Sequence, residues 1–222
     1  MARLTPEQQE YIGYTIFAFV YALFLIGSAF MGVQTWTAVS LYAILFIFSS
    51  MVVILMIDRF EIPCFRVDLE VIVGTVVGVA IVVGILAVPM LSTKLQVEMG
   101  ARPLSAAPVF EVVALQFLAV ALTESMLKYV WVQGLRLLKL PMPACVLVSA
   151  FFFATLHVYR YGFLTFPFFY TFVMGALLIS TGYLPRMLGS EVEFSIYPLV
   201  VAHGFHNIAV GAMASALTIR LR

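Results

Sequence analysis

Two apolar runs, residues 12–33 and 36–57, follow one another with only Gln34 and Thr35 between them. At about 1.5 Å per residue of helix, each is long enough to cross the roughly 30 Å of hydrocarbon in a bilayer. In that solvent every backbone N–H and C=O must be satisfied within its own segment, which makes helix the conformation for such runs. The two form a tight antiparallel pair. Further candidate spans fall at 71–91, 109–140, 143–157, 165–182 and 195–217, with polar connectors at 58–70, 92–108 and 183–195. Pro141 and Pro143 stop the fourth span, and Pro143 is placed to begin the fifth. Thr165 reads as an N-cap two positions before Pro167, and Ser195 caps the last span with Pro198 in its first turn. The expected fold is therefore all-α. It is a single-domain, polytopic transmembrane helix bundle over residues 1–222, with about seven or eight spans.

Composition agrees with that reading. Hydrophobic residues make up 64% of the chain, charged residues only 10%, and the net charge is +1. Mean hydropathy is +1.10. An integral, multi-pass protein with the lipid bilayer as its surroundings is indicated, and with no run of like charge a nucleic-acid partner is not. Cys64 and Cys145 have neither disulfide-framework nor metal-ligand spacing. The stretch before residue 12 lacks a basic n-region and a cleavage site, so the first span reads as a retained helix. The distribution of Lys and Arg leans towards a cytoplasmic N-terminus. Span counting groups the N-terminus, the 58–70 connector, the 133–142 turn and the 183–195 connector on one side. Gly74 and Gly78, in GxxxG spacing, mark the third span as a close-packing scaffold helix.

Against this background three polar pairs stand out. Glu124 and Lys128 lie one turn apart inside an apolar run, about 40° around the helix, so they share a face. Intramembrane ionisable groups cost several kcal/mol unless they face protein or a wet cavity, which makes them site candidates; the plainer alternatives are a structural ion pair or a lysine snorkelling to an interface. Phe153 and His157 share the same spacing, although Phe is common enough, at 20 residues, for this to be a weak signal. His203 and Asn207 form the most informative pair, because Asn207 is the only asparagine and His203 one of three histidines. Their plainer reading is hydrogen-bonding glue between helices. His206 lies about 60° around the helix from His203 and reads as packing beside it. Counted from the connectors on one side, Glu124, His157, His203 and Asn207 reach a common depth, which allows one shared polar site.

Glu124 with Lys128, then Phe153-x-x-x-His157, then His203-x-x-x-Asn207, in that order across three helices, resembles the CAAX protease and bacteriocin-processing (Abi) family of intramembrane proteases. Members carry EExxxR, FxxxH and HxxxN/D motifs. The resemblance covers residues 109–216 and includes the glycine-bearing segment at Gly175 and Gly182. It implies a helical membrane peptidase acting on peptides or membrane proteins near the bilayer. Glu124 and His157 would activate water, His203 and Asn207 would hold the oxyanion, and no cofactor would be needed. Thr123 stands where members carry the first glutamate, the one that supplies the base in type II CAAX prenyl endopeptidases, and Lys128 stands where they carry arginine.

Other readings remain open. Glu124, His157 and His203 form a His₂Glu set of the kind that binds catalytic zinc, without any local ligand pair to support it. A non-catalytic member, acting as a membrane scaffold or immunity-type binding protein, is suggested by Thr123. A proton relay or transporter is suggested by the intramembrane Glu and His but opposed by the absence of inverted half-repeats.

Overall fold

The computed structural model describes residue 5 and residues 66–87, 120–158 and 162–220, with side chains described as far as residue 210. The first two expected spans, Cys64, most of the 58–70 connector, the 92–108 connector and the start of the fourth span lie outside the described residues. Every regular element among the described residues is helical. In chain order these are α1 (Leu69–Leu86), α2 (Leu122–Leu137), α3 (Met142–Thr155), α4 (Phe166–Thr181), α5 (Leu184–Met187) and α6 (Ile196–Arg220).

Helix α1 begins where Asp68 Oδ1 accepts from the Val71 amide at 2.8 Å, satisfying one of the orphan donors of the first turn. Its 18 residues have a mean hydropathy of 2.6, and by length and composition it is long and apolar enough to cross a membrane. The buried positions, Val71, Gly74, Gly78, Val82 and Leu86, recur every three or four residues as one stripe. Leu69, Ile72, Val76 and Ile81 on the remaining faces are exposed. The GxxxG spacing serves the close approach expected of it. A Cβ at Gly74 would meet Pro185 Cδ at 3.1 Å, and one at Gly78 would meet Thr181 Cβ at 3.1 Å. Glycine at both positions lets α1 lie against the end of α4 and the turn that follows.

Helix α2 is the centre of the structure. It is buried without interruption from Thr123 to Gly134, so it has no face left for the surroundings. A wider, π-type turn at Val120 and Ala121 leads into it. Helices α3 and α4 start as expected, with Pro143 in the first turn of one and Pro167 in the first turn of the other. Thr165 Oγ1 accepts from the Phe168 amide at 3.3 Å, and Ser195 Oγ accepts from the Tyr197 amide at 3.4 Å.

The segment expected to be a loop between α4 and α6 instead contains the single helical turn α5. Pro185 pre-sets its backbone, and Gly189, at φ 104°, reverses the chain so that the Ser190 amide reaches the Pro185 carbonyl at 3.0 Å. Ser190 Oγ then donates to Asp68 Oδ2 at 2.6 Å and accepts from the Val192 amide at 3.0 Å. Arg66 pairs with Glu191 at 2.8 Å, and Arg136 pairs with Glu193. The start of α1, the end of α2 and the α4–α6 connection thus share one end of the bundle, as span counting places them.

Gly182 lies so close to Phe194 that a Cβ would sit inside van der Waals contact with the ring. That ring is itself wedged between Tyr129 and Tyr183, with centroids at 5.5 and 4.7 Å. Gly182→Ala should therefore destabilise by about 1–3 kcal/mol. Gly84→Ala, which meets nothing within 4 Å, should be neutral or stabilise by up to about 1 kcal/mol. Thermal unfolding in detergent compares them. The Ser190 hydroxyl, with smaller help from the Val71 amide and Arg66, holds the Asp68 carboxyl below its usual range against a desolvation effect in the other direction. A depressed carboxyl contributes stability above its ordinary titration range and loses it as pH falls through the folded value. Ser190→Ala should lower stability at neutral pH and shrink the part of it that is lost on acidification, so that the variant and the wild type converge at low pH, read by unfolding across an acid series.

Candidate functional site

Lys128 is the side chain that organises the interior of α2. Its side chain is 0% exposed, so it does not snorkel to an interface. The ammonium instead finds three partners. Glu124 Oε2 lies 3.9 Å away one turn earlier, His203 Nδ1 lies 3.3 Å away on α6, and the Phe153 ring of α3 lies beneath it with its centroid at 3.4 Å. The last is cation–π geometry, which replaces part of the lost hydration with the negative face of the ring. Glu124 Oε2 also lies 3.4 Å from His203 Nε2. Acid, ammonium and imidazole therefore form one buried triangle, and Ser125 Oγ touches the same imidazole at Nδ1, 3.3 Å away.

The neighbours of each ring assign its protons. An ammonium only donates, so His203 Nδ1 accepts from Lys128 and the ring proton sits on Nε2, the nitrogen 3.4 Å from the Glu124 carboxylate. His157 has the opposite polarity. Its Nδ1 lies 2.9 Å from the Phe153 carbonyl oxygen, which only accepts, so Nδ1 carries the proton and Nε2 is the basic nitrogen. Both rings pack edge-on against Phe153, His157 at 4.7 Å and His203 at 6.1 Å between centroids. The aromatic of the Phe153-x-x-x-His157 pair is thus the common support for Lys128 and two histidines. Gly175 on α4 seats it, since a Cβ there would meet Phe153 Cδ1 at 3.2 Å.

Asn207 bonds to a neighbour that its spacing does not single out. It shares a helix face with His203 by spacing, yet its Oδ1 bonds to Nδ1 of His206 at 3.0 Å. His206 is no passive packing residue. Its Nε2 meets the Tyr170 hydroxyl at 2.7 Å, the two rings stack with centroids 5.9 Å apart, and its centroid is 6.3 Å from that of His203. Thr123 is fully buried and its hydroxyl has no hydrogen-bond partner among the described residues. The structure therefore gathers Glu124, Lys128, Phe153 and His203 directly, joins His157 to them through Phe153 and Asn207 through His206, and leaves Thr123 outside the hydrogen-bonded set.

Ser125 and Tyr170 were not expected. Ser125 could have been found as a hydroxyl between Glu124 and Lys128, whereas Tyr170 is one of ten tyrosines with nothing in its spacing to single it out. The Glu124, His157 and His203 set does not suit zinc, because the Lys128 ammonium lies against both the Glu124 and His203 donors and would repel a dication. Among the described residues no group of three His, Cys, Asp or Glu side chains is arranged to hold a metal. Comparison with protein-family profiles, with curated proteins and with solved structures found no match.

Removing one member of the triangle should leave a buried charge uncompensated. Lys128→Met is expected to destabilise by about 3–5 kcal/mol, and adding Glu124→Gln should recover part of the loss. A double-mutant cycle of unfolding free energies in detergent measures this coupling.

Proposed function

We propose that the protein is a multi-pass intramembrane endopeptidase of the CAAX/Abi type, hydrolysing peptide bonds at or near the bilayer surface. The observation that carries this reading is the buried contact of 3.4 Å between Glu124 Oε2 and His203 Nε2, held from behind by Lys128. A carboxylate and imidazoles in a dry interior supply both halves of peptide hydrolysis, a base for water and donors for the charge that forms on the carbonyl oxygen.

The ring polarities divide these roles. His157, with its basic Nε2, takes the proton from the attacking water, and Glu124 stabilises the positive charge that results. His203, protonated at Nε2, and the Asn207 carboxamide donate to the oxyanion. The Lys128 charge behind His203 favours the same negative species. Collapse of the tetrahedral intermediate returns the proton to the leaving amine. Positioned general base catalysis contributes about 10²–10⁴-fold. Each oxyanion donor is worth about 2.7–4 kcal/mol at the transition state.

A second reading, a non-catalytic membrane scaffold or immunity-type binding protein, is favoured by Thr123. A buried hydroxyl with no partner among the described residues stands where the resembling family has its first acid, and Glu124 is already engaged by Lys128 and His203.

Purified protein in liposomes, given membrane-proximal peptides, distinguishes the two. His157→Ala should lower turnover by about 10³-fold or more with the folded fraction unchanged, and Glu124→Gln, which also leaves Lys128 without its acid, should lower it as much per folded molecule. Cleavage at the wild-type rate by His157→Ala would refute the peptidase. A scaffold would bind its partner equally well with either substitution.

A further inference from the structure

We infer that Tyr170 and His206 are positioning residues, forming a one-directional hydroxyl–imidazole–carboxamide relay that holds Asn207 with its N–H donors presented rather than its carbonyl. The inference rests on the peptidase reading, in which Asn207 needs to act as a donor.

The direction of the relay follows from what each atom is able to do. The carboxamide oxygen of Asn207 only accepts, so His206 Nδ1, at 3.0 Å, carries the ring proton. Nε2 of a neutral ring must then accept, and the Tyr170 hydroxyl at 2.7 Å is the donor. The stacking of the Tyr170 and His206 rings, 26° from parallel, holds the imidazole in the plane this requires. An asparagine amide has nearly the same shape when flipped, so shape alone does not choose which end faces a substrate. A flip here would set the carboxamide N–H₂ against the His206 Nδ1–H, donor against donor, and is accommodated only if the ring moves its proton to Nε2 and the Tyr170 hydroxyl turns to accept. The relay thus ties the orientation of the amide to the ring tautomer, and in the direction assigned here both Nδ2 hydrogens are left for an oxyanion.

The geometry goes beyond ordinary helix packing. His206 and Asn207 are consecutive, about 100° apart around α6, so helical spacing does not bring their side chains together. Tyr170 comes from a different helix, 36 residues earlier, and reaches the far nitrogen of the same ring. Its ring is nearly buried, at 7% exposure, on the face of α4 that also carries Met174 and Leu178.

The test has two arms on the full-length protein in proteoliposomes. Nitrogen NMR of ring-labelled histidine, assigned with His157→Gln and His203→Gln, should show His206 as a single neutral tautomer protonated at Nδ1. In Tyr170→Phe that preference should be lost. In peptide cleavage, Tyr170→Phe should lower kcat about tenfold with KM unchanged, and Asn207→Ala about 10²-fold. In the Asn207→Ala background, Tyr170→Phe should have no further effect, because there is no amide left to orient. His206→Asn, whose amide nitrogen replaces Nδ1 as donor, should retain more activity than His206→Ala. A His206 ring protonated at Nε2, additive losses in the double variant, or wild-type kcat in Tyr170→Phe would overturn the relay. If the wild-type protein cleaves no peptide at all, the peptidase reading fails and the NMR arm alone decides the relay.

Discussion

A lysine ammonium sealed inside an apolar bundle is the constraint on which the rest of this structure depends. An isolated charge there would cost several kcal/mol, so the chain must bring it an acid, an acceptor and a polarisable surface at once. Glu124 is the acid one turn away, His203 the acceptor from the last helix, and Phe153 the surface from the helix that follows α2. Three helices are thereby fixed in rotation about their own axes. The remaining packing serves this arrangement. Gly175 makes room for Phe153, and Gly74 and Gly78 let α1 close over the α4–α5 corner.

The same charge sets the chemistry of its neighbours. By donating to Nδ1 of His203, Lys128 sends the ring proton to Nε2. The backbone carbonyl of Phe153 does the reverse at His157 and leaves its outer nitrogen basic. Two imidazoles on one aromatic ring thus acquire opposite roles, a donor and an acceptor. Hydrolysis of an amide needs that combination, and structural hydrogen bonding between helices does not require it.

Much of the described fold was legible in the sequence because its punctuation is strong. Thr165, Pro143, Pro167, Ser195 and the GxxxG pair each impose a local geometry, and each is found in its expected role. The helical turn at Leu184–Met187 was missed, since it is too short to show a period and is defined by Pro185 and the left-handed Gly189. In the site, i to i+4 spacing correctly put Glu124 beside Lys128 and Phe153 beside His157. It did not indicate which side chain Asn207 bonds to. Spacing reports which residues share a face, but the direction of a short amide depends on tertiary neighbours, here the ring of His206 held by Tyr170. Whether the flanking apolar runs complete a multi-pass bundle belongs to the same proposal as the activity, with α1 as the described helix that meets the length and hydropathy for crossing.

The central claim is that this buried acid–imidazole cluster delivers a water molecule to a peptide bond. Reconstituted protein, incubated in heavy-oxygen water with a membrane-anchored peptide, tests it by mass spectrometry of the products. The account predicts one heavy oxygen atom in the new C-terminal carboxyl of the upstream fragment, appearing at the rate of cleavage. An intact peptide after prolonged incubation with folded protein, or fragments without the label, would contradict it.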